Sequence, residues 1–323
     1  MKTVFSGIQP TGKVHLGNFL GAINNWVDMS NSKNKNYFCV VDLHSLTTHP
    51  DPKQMEENIF STIKVLIAAG INLDNSTIYV QSKVSEHSQL SWILSNFCQI
   101  GELQRMTQFK EKSSELGNHA GILTYPILMT SDILIHKAHE VPVGDDQTQH
   151  LELTRNIAER FNNKYGVVFP IPEKTSGKVG ARLMSLRHPE NKMSKSADDI
   201  SGTVYFDDSK DKIMKKFKSS VTDSEDEIRY DLESKSGISN LIDIYSSIQE
   251  MTHKEVEKKF SSSKYGEFKI EVGEAVADYI QPIYSNYESI SDKEILSLIK
   301  TNLEIAKSSA KKTMEEVNSL LGI

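Results

Sequence analysis

Two lysines three residues apart, Lys192 and Lys195, stand among small serines in "NKMSKSADD" (191–199). Such a segment can wrap a polyphosphate and release it, each ammonium offering a point charge to oxygens that gain charge as a phosphoryl bond breaks. A K-x-x-K run alone suits a solvated linker equally well. A second set lies near the start, in "FSGIQPTGKVHLGNFLG" (5–21). There a glycine-rich turn lets backbone approach a ligand closely, and a helix opening near Gly17 aims unpaired N–H groups and a positive dipole end at the same spot. Gln9, His15 and Asn18 add side chains able to donate to phosphate oxygens. The turn matches neither the G-x-G-x-x-G nor the Walker pattern, and a plain βα connection would use the same glycines.

Other groups invite similar questions. Tyr125, Met129 and Asp132 fall at i, i+4 and i+7 of "LTYPILMTSDIL" (123–134), sharing a helical face among Ile127, Leu128, Ile133 and Leu134. A buried carboxylate needs a donor. Either a ligand supplies it or a nearby Lys or His does, unless the position is exposed. "GDDQ" (144–147) repeats the sequence of strand end, glycine and helix start, where acids complement the helix dipole or accept from ligand hydroxyls. Lys210, Lys212, Lys215, Lys216 and Lys218 form a basic cluster, readable as a solvated helix face or as a contact for an anionic partner.

A scaffold must hold these groups. "KTVFSGI" (2–8), "NYFCVVDL" (36–43), "STIYVQS" (76–82) and "EVPV" (140–143) read as strands. Between them, Asp51 caps and Pro52 opens a helix whose face is Met55, Ile59, Ile63, Leu66 and Ile67, ending at Gly70. Further helical patterns cover 88–98, 101–115, 126–138 and 146–165, the last closed by Gly166. Alternation of this kind predicts a parallel sheet covered on both faces. From about 208 the pattern is helical without a convincing strand. The boundary falls in the Lys/Ser/Asp-rich stretch 190–202.

Composition narrows the classes. The 323 residues suit about two domains, and 38% hydrophobic with 25% charged residues exclude a disordered chain. A net charge of −6 means that any polyanion must be met by local basic patches. Cys39 and Cys98 are far apart among apolar residues, which predicts buried reduced thiols; with no CxxC pair, a structural zinc is not expected. Nothing resembles a signal peptide or an 18-residue apolar run, so a soluble cytoplasmic protein is expected.

Taken together, "HLGN" (15–18) and "KMSKS" (192–196) resemble the two signatures of class I aminoacyl-tRNA synthetases, the second letter for letter. "ELQRMTQFKEKS" (102–113), "VPVGDDQTQHLELTR" (141–155), "VGARLMSL" (179–186) and "KSSVTDSEDEIRYD" (218–231), with the segments above, are similar to the bacterial type of tryptophanyl-tRNA synthetase. Asn18, where the broad class has His, is typical of the tryptophan branch. A tyrosine-specific relative would show Asp in place of Gln9.

The resemblance implies an α/β fold: a Rossmann-like parallel-sheet nucleotide-binding domain over 1–190, a KMSKS loop over 191–202, and a smaller helical domain over 203–323 whose last helix packs back. It implies that L-tryptophan attacks ATP, with Mg²⁺ assisting, to give tryptophanyl-adenylate and pyrophosphate, and that tryptophan then passes to the 3′ end of tRNA(Trp). No protein nucleophile is needed. Catalysis would rest on Lys192, Lys195, His15, Asn18 and Gln9. ATP would be held by Gln9, Pro10, Thr11, Gly17, Asn18, Gly144, Asp145, Asp146 and the segment Lys192, Met193, Ser194, Lys195 and Ser196, with Leu183 by the adenine. Asp132 would take the indole N–H, with Phe5, Gly7, Met129, Val141 and Val143 around the ring and Tyr125, Gln147 and Gln9 at the polar end. The family also implies a homodimer and a tRNA contact on the helical domain. Two rivals share these features: a ligase that adenylates another carboxylate, and a non-catalytic synthetase-like binding protein.

Overall fold

The computed structural model describes residues 1–175, 183–193 and 200–323, with Glu115 and Asp145 described by backbone alone. Five strands form one sheet in the order β3-β2-β1-β4-β5: β1 (Thr3–Ile8), β2 (Lys35–Val40), β3 (Ser76–Val80), β4 (Glu140–Pro142) and β5 (Glu173–Thr175). Every pairing is parallel. Buried on both faces, β2 and β3 are nearly continuous apolar runs, as parallel strands between helices require. Alternate residues divide between two cores: Phe38 and Val40 enter one, Tyr37 and Cys39 the other.

β5 carries no apolar run, so periodicity does not reveal it. At the sheet margin its "EKT" remains half in solvent.

Strand order reverses between β1 and β4, because β2 and β3 extend to one side and β5 to the other. Ligands of open α/β sheets bind outside the carboxyl ends at such a reversal. Both glycine turns, after Ile8 and after Pro142, open there.

Helices cover the sheet. After β1 come α1 (Leu16–Asn18), a π-helical turn over Phe19–Ile23 and α2 (Asn24–Ser30). Trp26 stacks on Phe38 at 4.6 Å, fixing this run to the sheet. α3 (Asp42–Ser45) follows β2, and α4 (Pro52–Ala68) begins as its sequence demands, Asp51 accepting from the Gln54 N–H at 2.9 Å. α5 (Glu86–Ser95) packs on α8 (Ala120–Ile135). The 101–115 pattern is two helices, α6 (Ile100–Gln104) and α7 (Thr107–Leu116), because Leu103 and Met106 turn into the core between them. α8 starts six residues earlier than its apolar pattern suggests and stops before Lys137, whose φ of 52° breaks the helix. α9 (Thr148–Tyr165) leads to β5. Cys39 is buried but Cys98 only half so, correcting the expectation of two buried thiols; both are free.

The remainder is helical: α10 (Lys210–Lys218), α11 (Ser236–Gln249), α12 (His253–Lys259), α13 (Tyr265–Ser289) and α14 (Asp292–Leu321). Phe217, Tyr245 and Phe268 join the core that holds Phe19 and Trp26, so one face of the sheet continues into this bundle. α14 returns to the other face. Its Ala306, Ala310, Met314 and Val317 pack with Tyr79 and Leu90, while Asn302 accepts from the outer-strand Ile78 N–H at 3.2 Å. Among the described residues no helix is long and apolar enough to cross a membrane.

Candidate functional site

The first turn is held from behind. His15 pairs with Tyr205 in an antiparallel bridge, Leu16 N–H donates to Val204 O at 2.8 Å, and Phe206 N–H donates to Val14 O at 3.0 Å. His15 is therefore buried, not a surface residue. Asn18 Oδ1 accepts from the His15 N–H at 3.0 Å, so its NH₂ is what remains to donate to a ligand. Gly17 is closely approached: a Cβ there would stand 3.0 Å from the His15 ring, tighter than ordinary contact, and 3.9 Å from Leu183 Cβ. Gln9 is exposed, Pro10 buried and Thr11 half-buried, with the Thr11 N–H closing on Gln9 O at 2.8 Å.

Leu183 links this turn to the lysine segment. Its carbonyl accepts from Met193 N–H at 2.9 Å, and Met184 bridges Lys192. Met193 is sunk in the core and Lys192 is exposed beside it. Residues nearly two hundred positions apart thus share one neighbourhood. Ser194, Lys195 and Ser196 lie outside the described residues.

At the second turn, a Cβ on Gly144 would meet Asp146 Oδ1 at 2.7 Å. Asp146 accepts at Oδ2 from Gln147 Nε2 at 2.8 Å, and its carbonyl accepts from Gln108 Nε2 at 3.1 Å. Gln147 Oε1 lies 2.7 Å from His150 Nδ1, which must donate to it. Burial, with the Lys112 charge nearby, holds the His150 imidazole down at about 4, so it is neutral and its Nε2 accepts. The Tyr125 hydroxyl then faces two acceptors, Gln108 Oε1 at 2.8 Å and His150 Nε2 at 3.2 Å. Tyr125 and Gln147 are thereby fixed to one frame.

Asp132 lies almost wholly out of solvent in α8. Its Oδ1 accepts from Gln81 Nε2 at 2.7 Å and faces His87 Nδ1 at 2.7 Å; Oδ2 faces His44 Nε2 at 2.9 Å. Burial alone would push this carboxyl up, but hydrogen bonds from His44 and His87 hold it below the ordinary carboxylate range. Of the readings open at Asp132, an exposed position is excluded and pairing with histidines is present. Phe5 and Val141 are buried in the apolar cluster around it, Met129 and Val143 half-buried against that cluster, and Gly7 lies exposed near the carboxyl end of β1.

Residues 1–281 match the family of class I tRNA synthetases for W and Y. The chain belongs to that family. The synthetase is 47% identical over 324 residues to the tryptophan–tRNA ligase of Caldanaerobacter subterraneus, covering 100% of this chain and 99% of that protein. It is 46% identical to that of Oceanobacillus iheyensis, with the same coverage. Among solved structures it is similar to tryptophanyl-tRNA synthetase from Mycoplasma pneumoniae, with a TM-score of 0.90, 32% identity, and 100% and 98% of the two chains covered. The Campylobacter jejuni enzyme complexed with ADP and tryptophan gives 0.82 and 29%, covering 99% and 100%.

Sequence reasoning did not find His44, Gln81 and His87 around Asp132, nor Gln108 and His150 around Tyr125. His150 stands three residues beyond Gln147, a helical spacing that was the available signal. The synthetase also loses one member of its basic cluster: Lys216 turns inward to Asp208 at 2.6 Å and Thr203 O at 2.6 Å. Lys215 and Lys218 remain outside, along a groove of about 490 Å³ on α10. A second groove, about 360 Å³, takes His44, Tyr125 and Leu128 into its lining.

Proposed function

We infer that this synthetase is a tryptophan–tRNA ligase, and the observation that carries the reading is Asp132, a buried ionised acceptor held by Gln81, His87 and His44 beside an apolar cluster. An indole N–H donates and cannot accept, so it suits that carboxylate as a phenyl ring does not. The relatives named above support the same substrate. The tryptophan carboxylate attacks the α-phosphorus of ATP, the bond to pyrophosphate breaks, and the acyl group then passes from the adenylate to the 3′-terminal ribose of tRNA(Trp).

In this reading the chain positions and stabilises rather than forming a covalent intermediate. Gln9, Pro10, Thr11, Gly17 and Asn18 receive the phosphates. Gly144, Asp145 and Asp146 meet the ribose and Leu183 the adenine. Lys192 and Lys195, with Met193, Ser194 and Ser196, bring charge to the leaving pyrophosphate, and the helical part beyond 191–202 serves the tRNA through Lys210, Lys212, Lys215 and Lys218. Among the described residues no group of three or more His, Cys, Asp or Glu stands ready to hold a metal. Mg²⁺, arriving with ATP, would be held by the nucleotide's phosphate oxygens and would neutralise charge there. A homodimer fits the apolar side chains left in solvent, Trp92 at 75%, Ile100 at 67% and Leu46 at 55% exposed.

ATP–pyrophosphate exchange tests the reading. Stimulation by tryptophan alone among the amino acids is expected; exchange driven by another carboxylate identifies the rival ligase, and none at all identifies a binding protein.

A further inference from the structure

Four side chains from four parts of the fold run in an unbroken line to Asp132. Ser309 Oγ on α14 lies 3.1 Å from His136 Nδ1; His136 Nε2 lies 2.8 Å from the Tyr79 hydroxyl; that hydroxyl lies 3.0 Å from His87 Nε2; and His87 Nδ1 lies 2.7 Å from Asp132 Oδ1. Tyr79, His87 and His136 are buried, with Tyr37 stacked on His136 at 4.1 Å.

Hydrogen accounting gives the line a direction. Asp132 is ionised and only accepts, so His87 Nδ1 carries a hydrogen. In the tautomer whose one ring hydrogen is that on Nδ1, His87 Nε2 accepts the Tyr79 O–H. Tyr79 has one hydrogen, so His136 Nε2 must donate to it. Burial drives the His136 imidazole well below its ordinary value, leaving it neutral, and its Nδ1 therefore accepts from Ser309. The Cys39 thiol also faces the Tyr79 hydroxyl, and burial keeps it protonated. Every hydrogen points towards Asp132.

At that end the two carboxylate oxygens differ. Oδ1 takes both Gln81 and His87, which fills its two lone pairs, whereas among the described residues only His44 reaches Oδ2. Oδ2 retains one acceptor position.

We propose that Tyr79 is a positioning residue for substrate selection: through His87 it keeps Asp132 turned so that Oδ2 receives the substrate N–H, and through His136 and Ser309 it ties that orientation to the seating of α14. This rests on the tryptophan reading above. Removing the Tyr79 hydroxyl takes the acceptor from His136 and the donor from His87, leaving the His87 ring held at Nδ1 alone and free to turn. Asp132 can then rotate, and selection weakens while the reacting groups stay in place.

The test compares L-tryptophan with its 3-benzothienyl analogue, in which sulfur replaces the N–H, in pyrophosphate exchange by the full chain. Tyr79→Phe should raise KM for tryptophan about tenfold with kcat little changed, the size expected for coupling inside one network, and leave the analogue's kcat/KM as it was. Equal losses for both substrates, or none, overturn the proposal. Ser309→Ala, at the accessible far end, should weaken the preference about threefold at an unchanged melting temperature. It decides the matter if Tyr79→Phe does not fold, and an unaltered preference then overturns the proposal. Asp132→Asn separates the two levels: if it keeps the preference for tryptophan, the substrate reading fails; if it loses the preference while Tyr79→Phe does not, only the relay fails.

Discussion

Lys216 Nζ lies 2.6 Å from Asp208 Oδ2, with both side chains largely withdrawn from water. The same carboxylate oxygen accepts from Tyr205 N–H at 2.8 Å, and the ammonium also donates to Thr203 O. One ion pair therefore knots residues 203–208, the segment that backs His15 and Leu16.

Cutting that knot on one side leaves an uncompensated buried charge. Lys216→Met should cost about 3–5 kcal/mol of stability in urea unfolding, and less when combined with Asp208→Asn. A double-variant cost equal to the sum of the two single costs would show that the pair is not coupled.

Asp132→Asn removes the carboxylate and places an NH₂ among the donors Gln81, His87 and His44. A site built for an N–H rejects a substrate lacking it by roughly 10⁴–10⁵. The variant should erase most of the preference for tryptophan over phenylalanine in exchange kinetics; preserved selectivity would put the indole elsewhere.

Lys195→Ala, and to a smaller degree Lys192→Ala, should lower adenylate formation by about 10²–10³, the size typical of losing one group that stabilises developing charge. Tryptophan binding, followed by calorimetry, should persist. An undiminished rate would release the lysines from the assigned role.

The pH dependence of stability follows from the imidazoles. His150 titrates at about 4 in the fold against an ordinary 6.5. Between those values the unfolded chain takes up a proton that the native state refuses, so stability is complete above about pH 6.5 and declines as pH falls towards 4, by on the order of 3 kcal/mol from His150. His136 acts in the same direction. Asp132, with a depressed value, adds stability above its unfolded range that is lost only in stronger acid. Melting temperature should drop steadily from pH 7 to 4.5, and His150→Asn should flatten that slope; an unchanged slope would mean that the imidazole is not protected.

What a sequence shows and hides here has a physical basis. β2 and β3 are legible because burial on both faces makes their apolar runs continuous, whereas β5, charged and marginal, has no such signature. Asp132 is visible as a carboxylate among Ile and Leu. Its partners are not, since His44, Gln81 and His87 lie 88, 51 and 45 positions away and meet it only through the packing of three different elements. Lys216 looks like Lys215 beside it. Only the placement of buried Ile213 and Phe217 shows which lysine is carried inward.

The partner of Ile78 arrives 224 positions later. Translation delivers β3 long before Asn302, so the outermost strand leaves the ribosome with an unanswered amide and waits for residues 292–321 to be made. During that interval half-made chains can pair with one another. Protection while the chain is being synthesised should therefore raise the yield more than any refolding aid supplied after release.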